Sequence, residues 1–320
     1  MSERELLRCV NLKKYFETPG GMLHAVDDVS FVINEGKTLG VVGESGCGKS
    51  TLGRAILRLL QPTDGQVIFE GVDITHIPMK EMLKLRREMQ IIFQDPFSSL
   101  DPKMTVYKII EEPLRIHRVF NNKKERAERV AELMDIVGLD RRYVDTYPHE
   151  LDGGRRQRIG VARALALNPK FIICDEPVSA LDVSIQAQIL NLMMDLKDQY
   201  GLTYIFITHD LSVVKHISDD ILVLYLGKMV EMADSDRIFE NPLHPYTKAL
   251  LSAIPVPDIS YKGKEAEVMR GEVTSPIEPP PGCRFAARCD LATERCLTET
   301  PEFIEVEAGH HVACHLFQKS

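Results

Sequence analysis

The chain carries no excess of positive charge. Its 39 Lys and Arg stand against 47 Asp and Glu, a net charge of −8 at pH 7. Wide contact with nucleic-acid phosphates needs the opposite balance, so nucleic acid is not an expected partner. No apolar run reaches the ~20 residues a helix needs to span a bilayer. The start, MSERELLRCV, lacks the basic flank and apolar stretch of a secretory leader, so a cytosolic chain is expected. There is no internal repeat and no low-complexity tract. Seven cysteines are present, expected mostly as thiols in that compartment, but none forms the tight C-x2-4-C knuckle typical of zinc. What remains is ordinary for a globular protein: 320 residues, 44% of them hydrophobic, enough for one large domain or two smaller ones without disulfides.

The hydrophobic pattern alternates strand and helix. LLRCVNLKKYF and HAVDDVSFVI read as strands, GKTLGVVG as a short buried strand, and STLGRAILRLL as a helix running to Leu60. GQVIFEGVDI reads as a strand pair. From MKEMLKL to DRRYVD the character is mostly helical and highly charged. RRQRIGVARALAL is a helix, FIICDE a buried strand, SIQAQILNLMMDLKDQYG a helix, and TYIFITHD and DILVLYLGKMVE strands. Strand and helix around an inserted helical block (about 95–165) predict an α/β fold with a mainly parallel sheet. Beyond Phe239 the texture changes: NPLHPYTKALLSAIPVPD holds one short helix between prolines, TSPIEPPPG is a linker or extended arm, and a Cys-containing tail follows.

VVGESGCGKST places Gly43, Glu44, Ser45, Gly46, Cys47, Gly48, Lys49, Ser50 and Thr51 between a strand and a helix, the context a phosphate loop requires. The glycines let backbone N–H groups wrap a polyphosphate, Lys49 supplies charge to the β and γ phosphates, and the Ser50 hydroxyl can ligate Mg²⁺. The following helix adds its positive end. Cys47 inside the loop predicts sensitivity of nucleotide binding to thiol alkylation. FIICDE ends in Asp175, suited to hold the metal through water, and Glu176, suited to polarise an attacking water. His209, after TYIFIT, can reach a γ-phosphate, and Gln94, in IIFQDP, can bind Mg²⁺ or a water.

Together these pieces resemble the ATP-binding-cassette (ABC) ATPases over about residues 5–240. The resemblance implies a P-loop NTPase core, with an N-terminal antiparallel β subdomain and an inserted helical subdomain. GESGCGKST is similar to Walker A and FIICDE to Walker B, with Glu176 as the implied catalytic base. Gln94 matches the Q-loop glutamine, SALD (Ser179 to Asp182) the D-loop, and His209 the switch histidine. The family binds adenine on an aromatic near the N-terminus, which by spacing is Phe16, with Tyr15 next. The expected division is a cassette over 1–240 and an extension over 241–320. NPLHPYTKALLSAIP, RGEV and PPPGCRFAARC resemble the ATPase subunits of dipeptide and oligopeptide importers, whose features nickel and glutathione importers share. That implies a second ATPase chain, two membrane subunits, a separate substrate-binding protein and a peripheral place on the cytoplasmic face of the membrane. Soluble members of the superfamily acting in DNA repair or translation usually carry two cassettes or long coiled-coil insertions, which are not seen here. A non-hydrolysing regulatory cassette has only the altered signature in its favour.

That signature is LDGGR: Asp152, Gly153, Gly154 and Arg155 stand where the family usually has the last four residues of LSGGQ. In the family each ATP lies between the Walker A of one chain and the signature of the other, so Asp152 is implied to face the partner's nucleotide. Its −1 charge opposes the roughly +0.5 of the helix end. Unit charges ~4 Å apart at an effective dielectric of ~20 interact by ~4 kcal/mol. One reading is a heterodimer of two different ATPases with one weak and one strong site; the other is a local Asp152–Arg155 ion pair of little effect. In the tail, Cys283, Cys289, Cys296 and Cys314 crowd together with His310, His311 and His315. Four thiolates suit an iron–sulfur cluster, and some members of the resembled family carry [4Fe–4S] at matching cysteines; zinc and free thiols are the alternatives.

Overall fold

The computed structural model describes residues 4–95, 97–253 and 274–318. The RGEV stretch, the IPVPD end of the proline-punctuated segment and Pro96 of IIFQDP lie outside them. In chain order the elements are β1 (Glu5–Thr18), β2 (Gly21–Asn34), β3 (Thr38–Val42), α1 (Lys49–Ile56), β4 (Asp64–Phe69), β5 (Val72–Asp73), α2 (Met79–Leu85) and β6 (Met89–Ile92). Then come α3 (Val106–Ile116), α4 (Lys123–Ile136), α5 (Gly153–Leu165), β7 (Phe171–Asp175), α6 (Val183–Tyr200), β8 (Thr203–Ile207) and α7 (Leu211–Ile217). The rest are β9 (Asp220–Tyr225), β10 (Lys228–Asp234), α8 (Ser235–Glu240), α9 (Pro245–Ser252), α10 (Glu294–Thr298), β11 (Ile304–Glu307) and β12 (His310–Val312). They divide into two compact units. The first contains Asn34–Gly36 and His76–Ile207; the second contains Arg4–Ile33, Lys37–Thr75 and the chain from Thr208 onward.

The second unit holds an antiparallel sheet in the order β2-β1-β4-β5 and a row in the order β11-β12-β10-β9-β3. In that row β3 runs parallel to β9, whereas β10, β11 and β12 are antiparallel. β4 and β5 are joined through Glu70 (φ 49°) and Gly71 (φ 79°), the pair of positive φ angles that a tight hairpin needs. The helix expected to reach Leu60 stops at Ile56. Arg58 takes a left-handed φ of 50°, its guanidinium bonds the Ile74 carbonyl at 3.0 Å, and the N–H groups of Leu59 and Leu60 fold back onto Arg54. The extension belongs to the same core as the strands. Tyr246 and Phe285 pack with Val42, Val223 and Tyr225, and Ile277 bridges to Leu23 at the edge of β2. The buried Glu231 of β10 accepts from the N–H groups of Leu243 (2.7 Å) and His244 (2.9 Å). It also pairs with Nε2 of the fully buried His310 at 2.8 Å, so one carboxylate holds three segments.

The first unit holds three parallel strands, β6-β7-β8, with α3, α4 and α5 as the inserted helical region. β7 and β8 are buried at every position, as near-continuous apolar runs in a parallel sheet should be. Thr105, Asn122 and Asp152 cap α3, α4 and α5 through side-chain oxygens. The half-buried Arg126–Glu111 pair (2.8 Å) ties α4 to α3. The stretch expected to be mostly helical also contains β6. With four residues, MQII, it shows no periodicity of its own and exists by pairing with β7.

Candidate nucleotide site and cysteine cavity

The phosphate loop is shaped by contacts that only glycine tolerates. At Gly43 (φ +152°) a Cβ would sit 2.2 Å from the Leu224 carbonyl oxygen, and at Gly48 (φ +106°) 2.0 Å from that of Ala25. Between them Ser45 and Gly46 are exposed, while Ser50 and Thr51 form the first turn of α1. Lys49 is only 5% exposed. Its ammonium donates to the carbonyls of Gly43 (2.8 Å) and Glu44 (2.9 Å), which fixes the charge across the mouth of the loop. Cys47 is buried, and burial pushes its thiol above the usual range although Lys49 pulls it back. Burial and a raised thiol both disfavour the thiolate, which weighs against the expected ready alkylation of this residue.

In the first unit, Asp175 closes β7 at 1% exposure. Glu176 follows with φ 48°, the left-handed region that costs a non-glycine residue about 1–2 kcal/mol. Its N–H donates to Ile207 O at 2.9 Å, and its carboxylate accepts from the Gln94 amide at 2.9 Å. Two of the expected site residues, from different strands, thus meet directly. Ser179 continues the turn, its hydroxyl donating to Glu176 O at 3.2 Å, and Asp182 stands at the N-terminal cap position of α6 without a side-chain hydrogen bond to the helix. His209 lies exposed in the second unit, just before α7, whose first turn is capped by Asp210.

The two adenine candidates differ. Tyr15 stacks on His24 (centroids 4.0 Å apart) and donates its hydroxyl to Asp27, so both its face and its hydroxyl have protein partners. Burial and then Asp27 push that hydroxyl's pKa up. Phe16 is half-buried, with the Lys14 ammonium 4.8 Å from its ring centre.

At the start of α5, Asp152 caps the helix by accepting from Arg155 N–H at 2.8 Å, and its other oxygen pairs with the Arg155 guanidinium. That guanidinium also lies 5.1 Å from the Tyr143 ring centre. Both members of the pair are about half exposed, with side-chain exposures of 43% and 57%. Gly153 and Gly154 allow close approach to the D-loop and α6: a Cβ would meet Leu181 at 3.0 Å and Ile185 at 2.6 Å.

Cys283, Cys289, Cys296 and Cys314 line one cavity of about 220 Å³, with Phe285, Leu291 and Leu316 in its walls. All four are free thiols. Burial pushes Cys283 up to about 11 and raises Cys289 and Cys314 as well. Among the described residues no three His, Cys, Asp or Glu gather closely enough to hold a metal ion. Zinc needs four ligands within bonding distance of one point, about 2.3 Å for thiolates, and these four cysteines line the cavity without forming such a group. Of the expected histidines, His310 is committed to Glu231, His311 stacks on Phe303 (5.7 Å), and only His315 lines the cavity.

A family model described as "ABC transporter" matches residues 26–179, and one described as "Oligopeptide/dipeptide transporter, C-terminal region" matches residues 230–296. The putative oligopeptide transport ATP-binding protein YkfD of Bacillus subtilis (strain 168) is 51% identical, over 100% of this chain and 98% of its own. The chain belongs to the ATPase subunits of the oligopeptide/dipeptide class of ABC transporters. The oligopeptide transport ATP-binding protein OppF of the same organism is 53% identical over 98% of this chain and 97% of its own. Among solved structures, this ABC ATPase is similar to MJ0796, a bacterial ABC transporter cassette solved as a dimer. The TM-score is 0.67 at 30% identity, covering 72% of this chain and 99% of that one. Its activity is ATP binding and hydrolysis, and among the described residues no helix is long and apolar enough to cross a membrane.

Three residues of this ABC ATPase had no signal as site neighbours. Tyr246 accepts the Glu44 N–H at 2.8 Å, Arg288 holds the Glu44 carboxylate at 2.8 and 3.0 Å, and Arg284 pairs with Asp27. All three come from beyond residue 240. No local spacing connects them to Glu44 in the loop or to Asp27 in β2, more than two hundred residues earlier.

Proposed function

We propose that this chain is one of two ATPase subunits that drive a peptide importer. It works peripherally on the cytoplasmic face of the membrane, beneath two integral subunits that an extracytoplasmic binding protein supplies. The observation that carries this reading is likeness along the whole length, including the tail: a relative named for oligopeptide transport matches all of the chain, and the oligopeptide/dipeptide C-terminal model matches 230–296. The division at 240/241 is proposed as one of function, with the cassette turning over ATP and the extension marking the transporter class.

In this reading the backbone of residues 43–51 wraps the triphosphate and Lys49 neutralises its β and γ groups. Phe16, with Tyr15 as the alternative, supports adenine. Ser50 and Gln94 would hold Mg²⁺, whose chemistry is to neutralise the phosphate oxygens; the Gln94 amide nitrogen bonds Glu176, which leaves its oxygen as the donor atom. Glu176 takes the proton of the attacking water, Asp175 orients the metal side, and His209 steadies the γ-phosphate. Asp152, Gly153, Gly154 and Arg155 meet the nucleotide held by a second, non-identical ATPase, and the Asp152 carboxylate weakens closure there. Cys283, Cys289, Cys296 and Cys314 would hold a [4Fe–4S] cluster, a staple for a segment with little core of its own. A thiol-lined cavity wider than a single ion supports that choice.

The test is reconstitution of the chain with its second ATPase, both membrane subunits and the binding protein in liposomes. Loaded binding protein should stimulate ATP turnover and internal peptide should accumulate. Accumulation of nickel or glutathione without peptide would overturn the cargo. Absorbance near 400 nm with about four irons per chain after anaerobic purification is the outcome expected for the tail; iron-free protein would refute the cluster.

A further inference from the structure

Glu44 is the one acidic side chain inside the phosphate loop, and the C-terminal extension holds it at two points. The extension supplies Tyr246 Oη, which accepts the Glu44 N–H at 2.8 Å. It also supplies the Arg288 guanidinium, which donates Nη1 to Oε2 at 2.8 Å and Nη2 to Oε1 at 3.0 Å. The third polar group of Glu44, its carbonyl, accepts from Lys49. The clamp is buried: the Arg288 side chain is 6% exposed and that of Glu44 23%. It rests on an aromatic cluster in which Tyr225 meets Tyr246 and Phe285 edge-on at 4.6 and 5.3 Å, with Arg288 Nη1 3.4 Å from Tyr225 Oη. Arg288 ends the short helical turn Ala286–Arg288, which sits between Cys283 and Cys289 on the rim of the thiol-lined cavity.

A free carboxylate at this place would repel a triphosphate and swing the loop. A two-point guanidinium cancels that charge and fixes the side chain's direction. We infer that Arg288 is a positioning residue of the phosphate loop, acting through Glu44, and that the cysteine-bearing extension thereby sets the affinity of this cassette for ATP. Whatever shifts the Ala286–Arg288 turn is felt at the loop as a change in nucleotide affinity. A second link of the same kind runs from Arg284, beside Cys283, to Asp27, which carries the Tyr15 hydroxyl. The inference rests on the Lys49 loop being the nucleotide site.

The test uses the full chain, Mg²⁺ and a fluorescent ATP analogue, with thermal melting in parallel. Arg288→Ala should weaken nucleotide binding by about tenfold, as loss of a charge-assisted pair does. Arg288→Lys, which keeps the charge and loses the fork, should fall between it and the parent, and it serves if the alanine variant does not fold. In a Glu44→Gln background the same Arg288→Ala change should cost under about threefold, because the carboxylate it serves is gone. Losses that simply multiply, or a lowered melting temperature with unchanged affinity in every variant, would overturn the role. Lys49→Ala is the control for the site: if it binds nucleotide normally, the site reading fails whatever Arg288 does.

Discussion

Two glycine-bearing helix starts in this molecule are held in opposite ways. The phosphate loop before α1 is fixed from far along the chain, with Lys49 at 5% exposure, Glu44 clamped by Arg288 and Tyr246, and glycines pressed against distant carbonyls. At the start of α5 the polar contacts are local and exposed: Asp152 caps Arg155 and pairs with it three residues on, about half exposed to solvent, although Gly153 and Gly154 lie close to Leu181 and Ile185. The difference teaches where pre-organisation resides. A site fixed by long-range buried contacts keeps its geometry before any ligand arrives, whereas an exposed i,i+3 pair rearranges at little cost, since such pairs are worth about 0–1 kcal/mol.

The comparison breaks most sharply at the chemistry. Glu176→Gln should lower ATP turnover of the assembled complex by about 10²–10⁴-fold, the range of a lost general base, while nucleotide binding by Lys49 survives. Phosphate release measured alongside analogue binding checks this, and equal loss of both would remove Glu176 from the role of base. The next largest effect concerns what holds the loop's support. Glu231→Gln replaces one of the two acceptor oxygens with an NH2 donor, which must then face either the His244 N–H or the Leu243 N–H and His310 Nε2. Leaving a buried donor without its acceptor costs about 1–3 kcal/mol. Denaturant melts should show that loss, with nucleotide affinity falling too if the extension carries the clamp.

A smaller and pH-dependent effect comes from His244, 1% exposed, whose Nδ1 accepts the Tyr246 N–H at 3.0 Å. Burial lowers its pKa from 6.5 to about 3. Below 6.5 the unfolded chain binds a proton that the folded chain refuses. Stability is therefore complete above that pH and is lost, at up to about 1.4 kcal/mol per unit, as pH falls from 6.5 toward 3. His244→Asn keeps an acceptor for the helix start and should flatten that slope. An unchanged slope would assign the acid sensitivity to other groups.

How much of this was readable beforehand follows the same division between local and distant contacts. The loop from Gly43 to Thr51 and the strand ending in Asp175 obey rules a few residues long, so the residues announce them. The hairpin at Glu70–Gly71 was legible for the same reason. β6 was not, because MQII is a strand only by virtue of β7. α7 was not, since LSVVKHI is too short to declare a period. Nor could any spacing show that Arg288 meets Glu44 or that His310 pairs with Glu231. Those facts arise from the tail folding back onto the strands. The tail also supplies β11 and β12, antiparallel to one another, with β12 antiparallel to β10.

The least effect on this chain alone, and the most informative for its pairing, comes from restoring the usual signature residues. Asp152→Ser keeps an oxygen at the helix cap, so the stability of the chain should change by no more than about 0.5 kcal/mol. Asp152→Ser with Arg155→Gln removes one negative and one positive charge together, so the chain's net charge is unchanged. What changes is the placing of charge at the mouth of α5: the carboxylate no longer stands before the helix's positive end. In the assembled pair the double variant should raise turnover at the site built on the partner's phosphate loop by several-fold, roughly the benefit of relieving ~1 kcal/mol of repulsion. It should leave the site built on Lys49 as it was. The two sites are separated by placing Glu176→Gln in this chain, which silences the Lys49 site and leaves the other to be read. If turnover there is unchanged by the restoration, the local ion pair already shields the partner's nucleotide, and the two sites are equal.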